Sequence, residues 1–221
     1  MDAAKQVYES IVGELLPSKI GRNASLRERE DTFQTDNVNL RYAEMGFDAV
    51  ARVIKVIRDK HAALQGEKGG MFVDLGSGMG KAVIAAAVVH PFRKVWGVET
   101  LEGLHELSLA LKKEFEKASA HLVDSNDEQL PEIEFIRGDL FRADVSEADV
   151  VLVHSGCFTV KTMTRLGKMM STQLCRPDTL VITVSAPLPE SAGFETLDVL
   201  VEQLDEGVEA AIFVARRTSQ P

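Results

Sequence analysis

The chain has 221 residues, of which 45% are hydrophobic and 27% are charged, and its formal net charge is −9. This size and composition suit one domain with a sizeable core, and the acidic balance argues against nucleic acid as a partner. Two cysteines are too few for a disulfide framework or a zinc site, which predicts buried free thiols at Cys157 and Cys175 and no metal. The sequence has no run of 18 apolar residues and no secretory pattern, so we expect no membrane partner and a cytoplasmic or nuclear location.

Two helices are predicted before the first strand. Apolar residues recur at four-residue spacing from Val7, which predicts a helix over residues 3–16 that ends before Pro17. A similar stripe predicts a second helix over about residues 44–64, followed by a glycine-rich segment. Residues 18–39 between them are polar and charged, and indicate either a short exposed helix or a mobile lid.

From Met71 onward, strand-like and helical segments alternate. Right-handed crossovers then give a parallel sheet with helices on both faces. Two β-rich runs, residues 194–203 and 208–216, are separated by a short turn and predict a terminal hairpin. We therefore predict an α/β fold with a Rossmann-like, seven-stranded, mostly parallel sheet, a C-terminal antiparallel hairpin, helices on both faces and an N-terminal helical extension.

A glycine-rich turn follows the first predicted strand. Residues without a Cβ let the backbone bend sharply and approach a ligand, and the helix that begins there presents unpaired N–H groups. The nicotinamide fingerprint spaces its last glycine differently, whereas alternate glycines with an acid two positions upstream suit a nucleoside without a pyrophosphate. The residues assigned to binding this ligand are Asp74, Gly76, Ser77, Gly78, Gly80 and Lys81.

Acidic residues also end the next two predicted strands. Glu99 follows the second strand, where a carboxylate can bind both ribose hydroxyls. Asp139 follows the third strand, where it can bond an adenine amino group while Leu140 flanks the ring. Three acids at successive strand ends predict a cradle for a nucleoside.

These motifs resemble those of the class I S-adenosylmethionine-dependent methyltransferases. Just upstream, Tyr42-Ala43-Glu44-Met45-Gly46-Phe47-Asp48 resembles the Tyr-Gly-Glu-x-x-Phe-Asp segment of the disruptor-of-telomeric-silencing lysine methyltransferases, the histone lysine methyltransferases without a SET domain. The resemblance implies S-adenosyl-L-methionine as cofactor, Glu44 as a further cofactor ligand, Tyr42 beside the reacting centre and a protein lysine as acceptor. Taking the resemblance together with the predicted elements, we divide the chain into an N-terminal helical extension and cofactor lid over residues 1–66 and an S-adenosylmethionine-binding methyltransferase domain over residues 67–221.

The sequence departs from that family at the end of the fourth strand. The family has an Asn-Asn-Phe run there, whereas this chain has His154-Ser155-Gly156-Cys157-Phe158. A side chain at this edge of an open α/β sheet faces the reacting centre, so we predict that His154 is catalytic and orients the substrate amine or accepts its proton. The alternative is an edge histidine bonded to backbone.

Three functions remain open at this level. The resemblance favours methyl transfer to a protein lysine by direct displacement from the sulfonium. A second possibility is a small-molecule or RNA methyltransferase with the same cofactor, although the chain lacks the Asp-Pro-Pro-Tyr or Asn-Pro-Pro-Tyr run that would favour base amino groups. A third is a catalytically silent, cofactor-binding regulatory protein, which the departure at His154 keeps open.

Overall fold

The computed structural model describes residues 2–13, 17–61, 64, 69–120, 130–173, 176, 178–204 and 207–218. Within these ranges the helices are α1 (Asp2–Val12), α2 (Ser18–Asp31), α3 (Phe47–Lys60), α4 (Lys81–Val89), α5 (Glu102–Ala120) and α6 (Val160–Gln173). The strands are β1 (Gly69–Leu75), β2 (Phe92–Glu99), β3 (Glu132–Arg137), β4 (Val150–Val153), β5 (Leu180–Val184), β6 (Phe194–Gln203) and β7 (Glu209–Arg217).

One seven-stranded sheet organises the chain, in the order β3-β2-β1-β4-β5-β7-β6. The first five strands are parallel, and β7 lies antiparallel between β5 and β6. Every residue of β4 and β5 is buried, as expected for parallel strands covered on both faces. The predicted fold, including the terminal hairpin, is confirmed.

Two hydrophobic layers cover the sheet because successive strand residues point to opposite faces. Phe72 faces a core that α1, α3, α4 and α5 complete. Val73 faces a second core, which is built from α6 and from the chain segments before β4 and after β5. The carboxyl ends of β1 to β4 meet at one edge between these layers.

The N-terminal segment differs in detail from its prediction. The first helix ends at Val12, and residues 14–16, which were predicted as its last turn, lie outside the described residues. The polar segment forms α2 and is packed against the body of the protein, because Ser25 and Arg29 are buried and donate hydrogen bonds to the carbonyls of Leu40 (2.9 Å) and Thr35 (3.1 Å). The next helix begins at Phe47, after an extended stretch that crosses the glycine-rich turn.

Two smaller expectations can also be compared with the structure. Cys157 is unbridged but only half-buried, so its thiol is more accessible than the sequence predicted, and Cys175 lies outside the described residues. Over the described ranges, no helix combines the length and apolar character that a membrane span requires.

Candidate active site

The glycine-rich turn connects β1 to α4 in a conformation that side chains rarely adopt. Gly76, Gly78 and Gly80 all have positive φ angles, of 86°, 54° and 84°. The turn is held against β2 because the N–H groups of Gly76 and Ser77 donate to the Val98 carbonyl at 2.9 and 3.0 Å. Glycine is therefore favoured at these three positions, because residues with a side chain rarely adopt a positive φ angle.

Tyr42 lies directly against this turn. A Cβ atom on Gly78 would be 2.6 Å from the Tyr42 ring, and a Cβ atom on Gly21 of α2 would be equally close to it. Gly80 has a different environment. A Cβ atom there would clash with the ring of Phe135, a core residue of β3. Gly78 thus allows Tyr42 to approach the turn, while Gly80 lets α4 approach β3.

Two adjoining cavities open at this edge of the sheet. The larger, of about 300 Å³, is lined at the strand ends by Gly76, Gly78, Glu99, Asp139, Leu140 and His154. The smaller, of about 20 Å³, is lined by Glu44, Asp74, Ser77 and Lys81. Tyr42 and His154 line both cavities. The structure therefore brings together all the residues assigned from the sequence except Gly80, which lines neither cavity.

Glu99 lies in the wall of the larger cavity and is held rigidly. One carboxylate oxygen accepts the N–H groups of Thr100 and Leu101, both at 2.8 Å, and the other accepts the N–H of Gly78 at 2.9 Å. Burial raises the pKa of this carboxyl group, and the three backbone donors oppose that shift. Two carboxylate oxygens can accept about four hydrogen bonds, so one acceptor position remains on Oε2.

Asp74 is a buried acid at the end of β1. Among the described residues, no hydrogen-bond donor contacts its carboxylate. Burial, reinforced by the nearby charge of Glu99, raises the pKa of Asp74 to about 8. A cation in the smaller cavity would be stabilised by this pair of acids.

A polar cluster closes the smaller cavity. The Glu44 carboxylate accepts hydrogen bonds from the hydroxyls of Tyr42 and Ser18, and it pairs with the Lys81 ammonium at 2.6 Å. The Glu44 and Lys81 side chains are only 8% and 9% exposed. The cluster joins α2, the extended segment before α3 and the first turn of α4, so it fixes the N-terminal segment over the glycine-rich turn.

His154 follows β4, and its ring lies beside Gly156. A Cβ atom on Gly156 would be 3.2 Å from the His154 ring, so the two residues are in close contact. The Nε2 atom is buried without a hydrogen-bond partner among the described residues. In a neutral imidazole that carries its proton on Nδ1, Nε2 is the hydrogen-bond acceptor. Burial lowers the pKa of His154, which favours this neutral form.

Asp139 lines the opposite end of the larger cavity. Its Oδ1 atom accepts the Phe141 N–H at 2.9 Å, and its nearest ion-pair partner is Arg165 of α6, 4.0 Å away. Arg137, two positions before Asp139, pairs instead with Glu102 at 2.9 Å.

Sequence reasoning missed the contribution of α6 to the larger cavity. Thr162 and Arg165 of this helix line it, and the Arg165 guanidinium lies 3.7 Å from the centre of the Phe141 ring. Their spacing places them on one helical face directly after the fourth strand, a signal that could have identified them.

Two side chains of the N-terminal segment cap helices of the main domain. The Glu28 carboxylate accepts the N–H groups of Glu102 and Gly103 at the start of α5, at 2.8 and 2.9 Å. The Asn39 side chain accepts the Thr159 N–H at 3.0 Å and the Thr162 hydroxyl at 2.9 Å, at the start of α6. Because α5 and α6 flank the larger cavity, these caps hold the segment as its roof.

Over the residues that the structure describes, no group of three His, Cys, Asp or Glu side chains is close enough to hold a metal ion. The carboxylates that line the two cavities can accept hydrogen bonds from hydroxyl and ammonium groups of an organic ligand.

Comparison with solved structures gives the same fold at low identity. An RNA methyltransferase from Salinibacter ruber in complex with S-adenosyl-L-homocysteine has a TM-score of 0.56 and 22% identity, over 80% of this chain and 96% of that one. The magnesium protoporphyrin IX methyltransferase ChlM of Synechocystis PCC 6803, with bound S-adenosylmethionine, has a TM-score of 0.55 and 15% identity, over 97% and 91%. The tRNA methyltransferase TrmK of B. subtilis has a TM-score of 0.51 and 14% identity, over 81% and 68%.

Sequence comparison is more specific. No protein with a curated description matches the chain significantly. The model of the family described as "Histone methylation protein DOT1" matches residues 32–205, well over half of the chain, and this range includes Tyr42, the glycine-rich turn and His154. The chain therefore belongs to the DOT1 histone methylation protein family, within the class I methyltransferases.

Proposed function

We propose that the protein transfers a methyl group from S-adenosylmethionine to the side-chain amine of a lysine in another protein. The observation that carries this proposal is the pair of buried, unpartnered acceptors, the Asp74 carboxylate and His154 Nε2, in the walls of the cavities beside the glycine-rich turn. Family membership supports the protein acceptor.

The residues present fit this cofactor. Glu99 retains an acceptor position for a ribose hydroxyl, and Asp139 with Leu140 offers a polar and an apolar contact to a purine. Asp74 lacks a counter-charge, which an α-ammonium group would supply, and Lys81 retains donors for a carboxylate. When bound, S-adenosylmethionine supplies an activated methyl group on a sulfonium centre.

His154 has the properties required to position an amine. A lysine amine has an ordinary pKa near 10.4, so it must lose a proton before it can act as a nucleophile, and burial in a narrow cavity lowers that pKa. Nε2 of the neutral imidazole can accept a hydrogen bond from the amine and direct its lone pair toward the methyl donor. The Tyr42 hydroxyl is engaged with Glu44, so we assign to the Tyr42 ring the role of excluding water.

One observation favours a second candidate. Arg41 and Arg165 both line the larger cavity, and guanidinium groups bind carboxylates and phosphates well. A small acceptor with an anionic group, or an RNA, would use them. The net charge of −9 weighs against RNA, and the family match weighs against a small molecule.

The acceptor can be identified with methyl-labelled S-adenosylmethionine. The purified protein would be incubated separately with core histones, total RNA and a mixture of small amino and carboxylic acids, and the products resolved by mass spectrometry. We expect label on lysine Nζ. Label confined to RNA or to small molecules would overturn the protein acceptor.

The role of His154 is tested with a conservative pair of variants. His154→Ala should lower kcat by about 100-fold, because it removes the acceptor for the amine, whereas His154→Gln should keep part of the rate. Binding of S-adenosylhomocysteine, measured by calorimetry, should change little in either variant. In the unaltered protein the rate should rise with pH through a pKa below 6.5, because Nε2 accepts only when the ring is neutral. An unchanged rate and pH profile in His154→Ala would show that His154 is structural.

A further inference from the structure

The connection from β3 to β4, residues 138–149, leaves part of one sheet face without a helix. A right-handed crossover places this connection on the face that α6 covers, and such crossovers usually contain an α-helix. Here it contains only a short 3-10 turn, Leu140–Arg142, and it is anchored to the sheet through the fully buried Val145 and Ala148. The result is a groove over β1, β2 and β3.

The groove has an apolar floor. It encloses about 820 Å³, within the usual range for a ligand or peptide site. Met71, Trp96 and Ile136 form the floor, and the Trp96 indole N–H donates to the Met71 sulfur at 3.4 Å. Ile136 remains 40% exposed on β3, which is the edge strand of the sheet as described.

The rim of the groove is acidic. Four carboxylate residues line it, Glu134, Asp139, Asp144 and Glu147. Two basic residues also line it, but Lys94 is already paired with Glu132 at 3.0 Å and with Glu134 at 2.5 Å. Arg165 lies 4.0 Å from Asp139, so Arg142 is left to offset Asp144 and Glu147. Positive side chains would complement this rim, and the net charge of −9 would add a long-range attraction for them.

We propose that the groove is a docking site for a basic, extended segment of a partner protein. Alternate residues of an extended segment point to opposite sides, so aliphatic side chains can contact the floor while the backbone lies along β3. Lysine or arginine side chains of the segment then reach Glu147 and Asp144 at the rim. The groove shares Val98, Gly138 and Asp139 with the larger cavity but extends away from His154, so this site is separate from the amine position.

Direct binding tests the proposal without any requirement for methyl transfer. The probe is a fluorescein-labelled eight-residue peptide of alternating lysine and leucine, titrated with the full chain in 50 mM salt and followed by anisotropy. Glu147→Lys should weaken binding about tenfold, because it reverses a charge on the rim. Ile136→Thr, which keeps a β-branched residue in the strand, should weaken it several-fold, because it removes part of the apolar floor.

A charge-matched control separates the groove from the overall acidity of the chain. Glu209→Lys, at the exposed start of β7, should leave peptide affinity within twofold of the original. S-adenosylhomocysteine binding should be unchanged in all three variants, which shows that each is folded and leaves the methyltransferase proposal unaffected. Equal losses in Glu147→Lys and Glu209→Lys, or equal binding of a peptide with glutamate in place of lysine, would overturn the proposal.

Discussion

Gly78 is constrained both by its positive φ angle and by the Tyr42 ring that packs against it. Alanine at Gly76 or Gly78 is strained by about 1–2 kcal/mol because both have positive φ. Gly76 has open space around its Cβ position, whereas a Cβ atom at Gly78 lies 2.6 Å from the Tyr42 ring. We expect Gly78→Ala to lower the free energy of unfolding, measured with urea, by at least about 1 kcal/mol more than Gly76→Ala.

A double-mutant cycle identifies the cause of that difference. In a Tyr42→Ala background, Gly78→Ala should cost no more than Gly76→Ala does, because the clashing ring is gone. Equal costs of the two alanine substitutions in the original chain would show that Tyr42 does not pack on the turn.

Asp74 makes stability depend on pH in a defined direction. Its pKa is about 8 in the folded protein, against an ordinary value near 3.9 in an unfolded chain. Between these values the native state holds a proton that the unfolded state has lost, so the free energy of unfolding falls as pH rises from about 4 to 8. Asp74→Asn removes this dependence, and it should therefore stabilise the ligand-free protein, by at least about 2 kcal/mol at pH 8 and by little at pH 4.5.

Chemical denaturation at several pH values measures this effect. A gain that does not vary with pH would contradict it. The same substitution should weaken binding of S-adenosylhomocysteine, since the neutral amide cannot pair with an ammonium group.

At the level of residues, the sequence predicted the groups near the strand ends, and the family resemblance added Tyr42 and Glu44, but other residues that reach the site from distant elements were missed. Asp74, Glu99 and Asp139 could be placed because the carboxyl ends of parallel strands share one edge. Arg165 also lines the larger cavity, and Asn39 joins its roof to α6, but these positions depend on how α6 and the N-terminal segment pack. Local patterns carry no information about such long-range contacts.

At the scale of whole elements, the α2 segment is held over the site by helix caps that it supplies to other helices. Glu28→Ala and Asn39→Ala should each cost about 1 kcal/mol of stability, as loss of an N-cap usually does. Both should also speed dissociation of S-adenosylhomocysteine, measured by stopped flow, because the segment that roofs the larger cavity opens more often. Asn39→Asp retains the acceptor for α6 and loses only the hydrogen bond that the Asn39 amide donates to Asn37, so both effects should be smaller than in Asn39→Ala.

Hydrogen exchange tests whether the loss of a cap loosens α2 alone. Amides of α2 should exchange faster in Glu28→Ala, while those of β4 and β5 should not change, because these strands are buried in the sheet. Uniform acceleration across the chain would indicate global destabilisation instead.

The elements themselves were predictable to different degrees. Runs of valine, isoleucine and leucine in β4 and β5 indicate buried strands directly. The state of α2 was left open because its sequence is polar on most sides, and its packing depends on a few hydrogen bonds of buried Ser25 and Arg29. The groove beside residues 138–149 could not be predicted. Hydrophobic patterning indicates where the strands are, but it does not show how the connection between β3 and β4 packs on the sheet.

For the molecule as a whole, cofactor binding should increase the free energy of unfolding and raise the melting temperature. A ligand that binds only the native state at 100 times its dissociation constant adds about 2.7 kcal/mol, which corresponds to roughly 5–10 °C in the melting temperature of a chain of this size. Differential scanning fluorimetry should show this shift with S-adenosylhomocysteine and a smaller one in Glu99→Ala. No shift in the original chain at saturating concentrations would contradict the cofactor assignment.

The position of β7 between β5 and β6 has a consequence for synthesis on the ribosome. β6 precedes β7 in the chain, yet within the described sheet it has no partner other than β7. When β6 leaves the ribosomal tunnel it therefore has nothing to pair with, and the sheet is completed only after residues 209–217 have emerged and entered between the two waiting strands. A nascent chain stalled before that point exposes the edges of β5 and β6 to chaperones and to neighbouring chains.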